Sequence, residues 1–279
     1  MVVGQRDRLG RRLGLAAGIL LLLGWSLFPI YWIVITSLQT ETAIYADPPR
    51  FVPDAPTLAQ YATVLTRTPF PLFLRNSAVI ALTTTAAAVI IGTLGAYAIT
   101  RMRFLGQALV ARLIVVSYLL PPTLLFIPLF IVLQRLGLTD TRTGLVLAYL
   151  TFTLPLCTWM LIGYIRTIPT ELDEAARIDG ASHLQVLVRV LVPVAAPGIA
   201  VVALLAFTQA WNEFLYALIF TYSDNVRTLT SGLVGMMMGD VFIWGRLMAA
   251  STIAIAPVFV IYIVAQRYLV EGLARGGVK

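Results

Sequence analysis

Long apolar runs separated by short polar, arginine-bearing segments repeat along the whole chain. About 18 or more consecutive apolar residues in a helix cross the hydrocarbon core of a bilayer, and six stretches meet that length. The expected spans are 13–38, 76–100, 108–133, 144–165, 194–220 and 247–267. They predict an all-α integral membrane protein with a short N-terminal segment 1–12, a membrane domain 13–267 and a C-terminal tail 268–279.

The pattern departs from uniform apolarity in a few places. Pro48, Pro49, Pro53, Pro56, Pro69 and Pro71 forbid a continuous helix after the first span, leaving an extended segment with a short helix near 58–65. Pro121, Pro122 and Pro128 interrupt the third span and Pro155 the fourth, which suggests a pathway or hinge, or packing kinks. The fifth span carries Gln209, Trp211, Asn212, Glu213 and Tyr216. A carboxylate and two amides at membrane depth must face protein or water, so Glu213 is expected to point inward. Amides and aromatic rings are the groups that recognise a sugar, and Tyr118 of the third span could join them. The alternative is a buried hydrogen-bond network without a ligand. Before the last span, Gly235 precedes Met236, Met237 and Met238, an adaptable surface suited to an external partner.

One connecting segment, 166–193, has a different character. Thr170 is placed to cap a helix beginning at Glu171, and Gly180 sits where a left-handed stop is wanted. Ser182 and Gln185 form a second capping box, opening a helix that runs until Pro193 interrupts it. Leu172, Ala175, Ala176 and Asp179 share one face of the first helix, and its adjacent alanines let another protein approach closely. Glu171, Asp173 and Glu174 place negative charge at the start, where the helix dipole favours it.

Composition agrees with a membrane chain: 59% of residues are hydrophobic, 12% are charged and the mean hydropathy is +0.89. The net charge of +7 does not indicate nucleic-acid binding, because its arginines are spread between the spans. Arg6, Arg8, Arg11, Arg12, Arg101, Arg103, Arg112, Arg166, Arg177, Arg189, Arg267, Arg275 and Lys279 fall on one side of the predicted membrane; seven arginines fall on the other. The richer side is expected to be cytoplasmic, with both termini and the 166–193 segment. The first span is too long, and lacks the small-residue cleavage signal, for a removable secretory leader. Cys157 alone offers neither an intrachain disulfide nor a metal cluster and is expected to pack as a small apolar residue; His183, the single histidine, is expected at the surface. A phosphate-cradling Gly-x-x-x-x-Gly-Lys-Ser/Thr loop is absent, so this chain cannot hydrolyse ATP.

The string Glu174-Ala175-Ala176, then Asp179-Gly180, then an apolar stretch closing on Leu191-Val192-Pro193 resembles the EAA loop of ABC importer permeases. Leu74-Arg75-Asn76-Ser77, Ala210-Trp211-Asn212-Glu213-Phe214 and the stretch from Gln266 to Lys279 are similar to the second permease subunit of maltose-type sugar importers. The resemblance implies the six-helix, MetI-like permease fold, with Glu174, Ala175, Ala176, Asp179 and Gly180 on a cytoplasmic coupling helix. It also implies a second homologous permease, two ATPase subunits holding ATP and magnesium, an extracytoplasmic solute-binding protein, surrounding membrane lipid and residence in the bacterial inner membrane. Family tails contact the ATPase pair and commonly end with one further glycine. An importer for another solute, such as glycerol phosphate or a polyamine, and an ion-coupled secondary transporter are the alternatives.

Overall fold

A computed structural model describes the backbone of residues 3–237 and 243–276, and the side chains of 12–236 and 243–266. The helices, in chain order, are α1 Val3–Ser37, α2 Glu41–Ile44, α3 Ala59–Arg67, α4 Phe70–Arg101, α5 Gln107–Leu119, α6 Pro122–Arg135, α7 Arg142–Ile165, α8 Glu171–Ile178, α9 His183–Val186, α10 Val192–Asn212, α11 Leu215–Phe220, α12 Leu229–Met237 and α13 Trp244–Gly276. A π-helical turn, Leu187–Leu191, joins α9 to α10. Five of these elements are long and apolar enough to cross a membrane, and the bent pair α5 and α6 makes a sixth if counted as one span.

The chain divides into two compact units, one formed by Met1–Pro69 with Gly235–Ile255, the other by Phe70–Val234 with Ala256–Lys279. In the first unit, α1 exposes apolar residues along most of its membrane-length stretch; Trp25 is 82% exposed. The proline-rich segment folds back on the end of α1: Thr57 N–H donates to the Leu38 carbonyl at 2.8 Å, Gln39 Nε2 to the Arg50 carbonyl at 3.0 Å, and the Tyr31 hydroxyl to the Phe51 carbonyl. The short helix expected near 58–65 is α3, joined to α2 through Gln60 Nε2 and Glu41 Oε1 at 3.1 Å.

The second unit is built on α4, α7 and α10, which pack pairwise, with α5 laid against α7. Without water to drive burial inside a bilayer, close helix approach relies on small residues and dispersion contact. Gly92 supplies that approach: a Cβ there would meet Cys157 Cβ at 3.1 Å and the Thr158 backbone at 3.3 Å. Ala88, Ala96, Cys157, Ala195 and Ala206 continue the buried contact, giving Cys157 the packing role its isolation suggested.

The backbone bears out one sequence expectation, the break of the third span at its prolines, and corrects two others. The third span is not continuous, because Leu120 and Pro121 leave the helical conformation and α5 and α6 diverge by 101°. Pro122, at a helix start, needs no amide partner, so the break falls where the prolines make it cheapest. The fifth span ends early at Asn212, is extended at Glu213 and resumes as α11. Conversely, Pro193 does not interrupt its helix. The preceding π-helical turn sends the Val192 amide to the Leu187 carbonyl, and Pro193 falls in the first turn of α10, so 183–212 runs as one helical rod.

Candidate functional site

At the end of the second unit where α4 and α7 finish, Arg101 closes α4 and reaches toward two elements. One terminal nitrogen donates to the carbonyls of Ile165 at 3.3 Å, the last residue of α7, and of Ile168 at 2.6 Å in the turn that follows. Its Nε lies 2.6 Å from Asp173 Oδ2, and both side chains are nearly enclosed, 7% and 10% exposed. Asp173 therefore does not serve chiefly as a solvent-facing dipole charge. It locks α8 to the end of α4.

Burial of Asp173 orients the rest of α8. Ala176 turns partly inward against the apolar core formed by α4, α7 and the 186–195 stretch, whereas Leu172, Ala175, Ile178 and Asp179 face outward. The four-residue face read from helical spacing thus loses Ala176 to the interior. Glu171 and Glu174 are exposed. Thr170 makes no side-chain cap and is itself helical in backbone angle, contrary to expectation. At the other end the expected stop is present: Gly180 has φ +84°, and its amide and that of Ala181 bond back to Arg177 and Ala176. Ser182 and Gln185 form the reciprocal capping box. His183 is exposed, and its Nδ1 lies 3.3 Å from the Tyr97 hydroxyl of α4.

The corner between α8 and α9 is consequently fixed at both ends. Arg101 and Asp173 hold α8, and α9 continues without interruption through the π-helical turn into α10. Ile178 at 86% and Leu184 at 63% exposure leave apolar side chains projecting from this rigid corner. Such a surface can transmit force from a docked partner to a membrane span.

The fifth-span cluster is arranged differently from the sugar-facing group its composition suggested. Glu213 stands at the helix break, and its carboxylate accepts the amides of Tyr216 at 2.8 Å and Ala217 at 3.1 Å, capping α11. Its own carbonyl accepts the Thr230 hydroxyl at 2.6 Å. Tyr216 is buried, stacks on Phe220 and donates to the Pro122 carbonyl at 2.8 Å, so the two interrupted spans satisfy one another. Trp211 is buried and stacked on Phe207. Both rings are therefore covered. Tyr118 stacks on Trp159 with ring centres 5.4 Å apart. Gln209 and Asn212, one helical turn apart, remain exposed, as does Phe214 in the break.

At the opposite end of the unit is a polar knot that residue-by-residue reading did not anticipate. Fully buried Asn76 donates through Nδ2 to the carbonyls of Asn225 at 3.0 Å and Arg227 at 2.9 Å, and its Oδ1 accepts Arg142 Nε at 3.0 Å. Ser77 Oγ accepts the Leu229 amide at 2.7 Å, at the start of α12. Asp140 Oδ1 accepts the amides of Tyr222 and Ser223 at 3.0 and 3.1 Å. Partial burial would raise the Asp140 pKa, but these amides, the Ser223 hydroxyl and nearby Arg227 outweigh it and hold the carboxyl below its ordinary value. The signal available in the sequence was an Asn-Ser pair entering an apolar helix. Gly235 is exposed and Met236 half-buried at the end of α12; the Met237 side chain and Met238 lie outside the described residues.

Residues 88–275 match the family described as the inner membrane component of binding-protein-dependent transport systems. The sulfoquinovosyl glycerol transport permease SmoH of Agrobacterium fabrum is 40% identical, over 95% of this chain and 92% of its own. The trehalose/maltose transport permease MalG of Thermococcus litoralis is 35% identical over 99% of both chains. Among solved structures, a chain of a bacterial ABC transporter involved in alginate import superposes with a TM-score of 0.78 at 24% identity, covering 94% of this chain and 98% of that one, a likeness of fold.

Proposed function

Because the chain belongs to the family of inner membrane components of binding-protein-dependent transport systems, we propose that it is a permease subunit importing a sugar or a sugar-bearing solute. Relatives named for sulfoquinovosyl glycerol and for trehalose and maltose support that substrate class. In this reading a second permease completes the path and two separate ATPase subunits bind ATP and magnesium. A solute-binding protein docks on the external face near Gly235 and Met236. Both termini and the α8–α9 corner lie on the cytoplasmic side, in keeping with the excess of arginine there.

The observation that carries the reading is the rigid corner. ATPase closure on exposed Leu172, Ala175, Ile178 and Asp179, beside Glu174, would displace α8, and the uninterrupted rod 183–212 would carry that movement to the break at Glu213. Ala176 packs the corner from within, and exposed Gly180 makes its left-handed turn. Near the break, Gln209 and Asn212 are the groups free to hydrogen-bond a passing hydroxyl, and Phe214 offers a ring face; Glu213, Tyr216 and Trp211 hold the break in shape.

The test is reconstitution with the companion subunits in vesicles, with cysteine placed at position 178. Nucleotide-dependent crosslinking to the ATPase, with loss of sugar uptake on crosslinking, is the expected result. Uptake that continues without ATP, driven by an ion gradient, would overturn the proposal in favour of a secondary transporter.

A further inference from the structure

Outside the corner and the break, the second unit carries a large open groove of about 790 Å³ along α5 and α7. Val115, Val116, Trp159 and Met160 form its apolar wall, and Arg112 and Arg166 line it as well. Ala111 and Ile114 of α5 are half-buried against the core, but no residue of α5 is fully buried, and Trp159 is 45% exposed. Arg166 caps the end of α7, and Arg112 lies in the second turn of α5, which starts on that same side after the 102–106 turn. Both cations therefore belong near one membrane face. Among the described residues, neither has a carboxylate within ion-pair distance. The adjoining turn also presents Phe104 and fully exposed Leu105 beside Arg103, the mixture of apolar and basic groups suited to a bilayer interface.

We propose that this groove binds one anionic phospholipid, its phosphate held by Arg112 and Arg166 and an acyl chain lying along Val115, Val116, Met160 and Trp159. The chemistry of the lining selects this occupant. A sugar needs several hydrogen-bonding partners, and apart from the two guanidinium groups the lining side chains are apolar. An acyl chain needs none. Two arginines at the headgroup level, without a carboxylate partner among the described residues, complete the match, since a nearby anionic phosphate is most strongly attracted there. A lipid here would brace α5 against α7, the helix whose end Arg101 ties to the corner.

The experiment uses the assembled transport complex in nanodiscs of phosphatidylglycerol and phosphatidylcholine, with retained lipid read by native mass spectrometry. Phosphatidylglycerol should be retained preferentially, and Arg112→Gln with Arg166→Gln should weaken that retention by about thirtyfold, the effect of two lost interfacial charges. Equal retention of the two lipids, or retention unchanged in the double variant, overturns the site. Should that variant fail to assemble, the unaltered groove decides the matter. Spin-labelled phosphatidylglycerol should quench Trp159 fluorescence, taken as the difference from Trp159→Phe, more than spin-labelled phosphatidylcholine does; equal quenching rejects the proposal. Efficient disulfide trapping of Val116→Cys to the companion permease would also overturn it, since a protein would then fill the groove.

Discussion

Breaking the Arg101–Asp173 pair should detach the corner without removing any exposed docking residue. At 2.6 Å and an effective dielectric of about 20, the gross attraction is roughly 6 kcal/mol. Desolvation of two nearly enclosed ions costs several kcal/mol each, so the intact pair contributes little net stability. Removing one partner is another matter, because it strands the other charge. Arg101→Met leaves Asp173 without its cation and should cost about 4–5 kcal/mol. Asp173→Asn should cost about 3 kcal/mol, since Arg101 keeps the carbonyls of Ile165 and Ile168. Arg101→Met combined with Asp173→Leu should recover most of the loss. The assay is a double-mutant cycle on unfolding free energies in mixed micelles, paired with ATPase binding by the purified protein. Single losses below about 1 kcal/mol, or losses that simply add in the double variant, would refute the argument that these charges depend on one another.

Further outcomes follow from the same geometry. Gly180→Val should destabilise the corner by about 1–2 kcal/mol and uncouple uptake from ATP hydrolysis, whereas Gly180→Asn should retain coupling; the obstacle is φ +84°, since no atom lies within 4 Å of a Cβ there. Asn76→Leu removes the partner of Arg142 Nε and the amide shared by the Asn225 and Arg227 carbonyls, leaving Asn225 only the Arg142 Nη2 bond at 3.2 Å, a loss of about 2–4 kcal/mol, read as faster hydrogen exchange across 224–229. The depressed pKa of Asp140 means that its stabilisation is fully present above its unfolded value of about 4 and is lost as pH falls through the lower folded value. Exchange protection of the Tyr222 and Ser223 amides should therefore decline on acidification below that range, and Asp140→Asn should abolish the dependence.

How much of this was legible beforehand differs from residue to residue. The Gly180 stop and the Ser182–Gln185 box were readable because each depends on backbone chemistry within a few residues. Membrane character was readable because chain length and apolarity suffice for it. Pro193 was misread: a missing amide ordinarily interrupts a helix, but the π-helical turn Leu187–Leu191, ending two residues earlier, absorbs the mismatch. Trp211 and Tyr216 were offered to sugar because rings and amides share a segment, and composition cannot say which way a side chain turns.

By itself, the sequence determined the run of apolar segments, the Gly180 stop and Ser182–Gln185 box of the corner, and the family to which the chain belongs. These rest on local periodicity, local hydrogen bonding and residue identity. Only the tertiary structure decided that Asp173 faces inward to Arg101, 72 residues earlier in the chain, that Asn76 gathers carbonyls about 150 residues away, and that Glu213 caps a helix instead of facing a ligand. The physical reason is common to all three. A buried polar group must find a partner, and packing, which no local rule encodes, determines which partner is within reach.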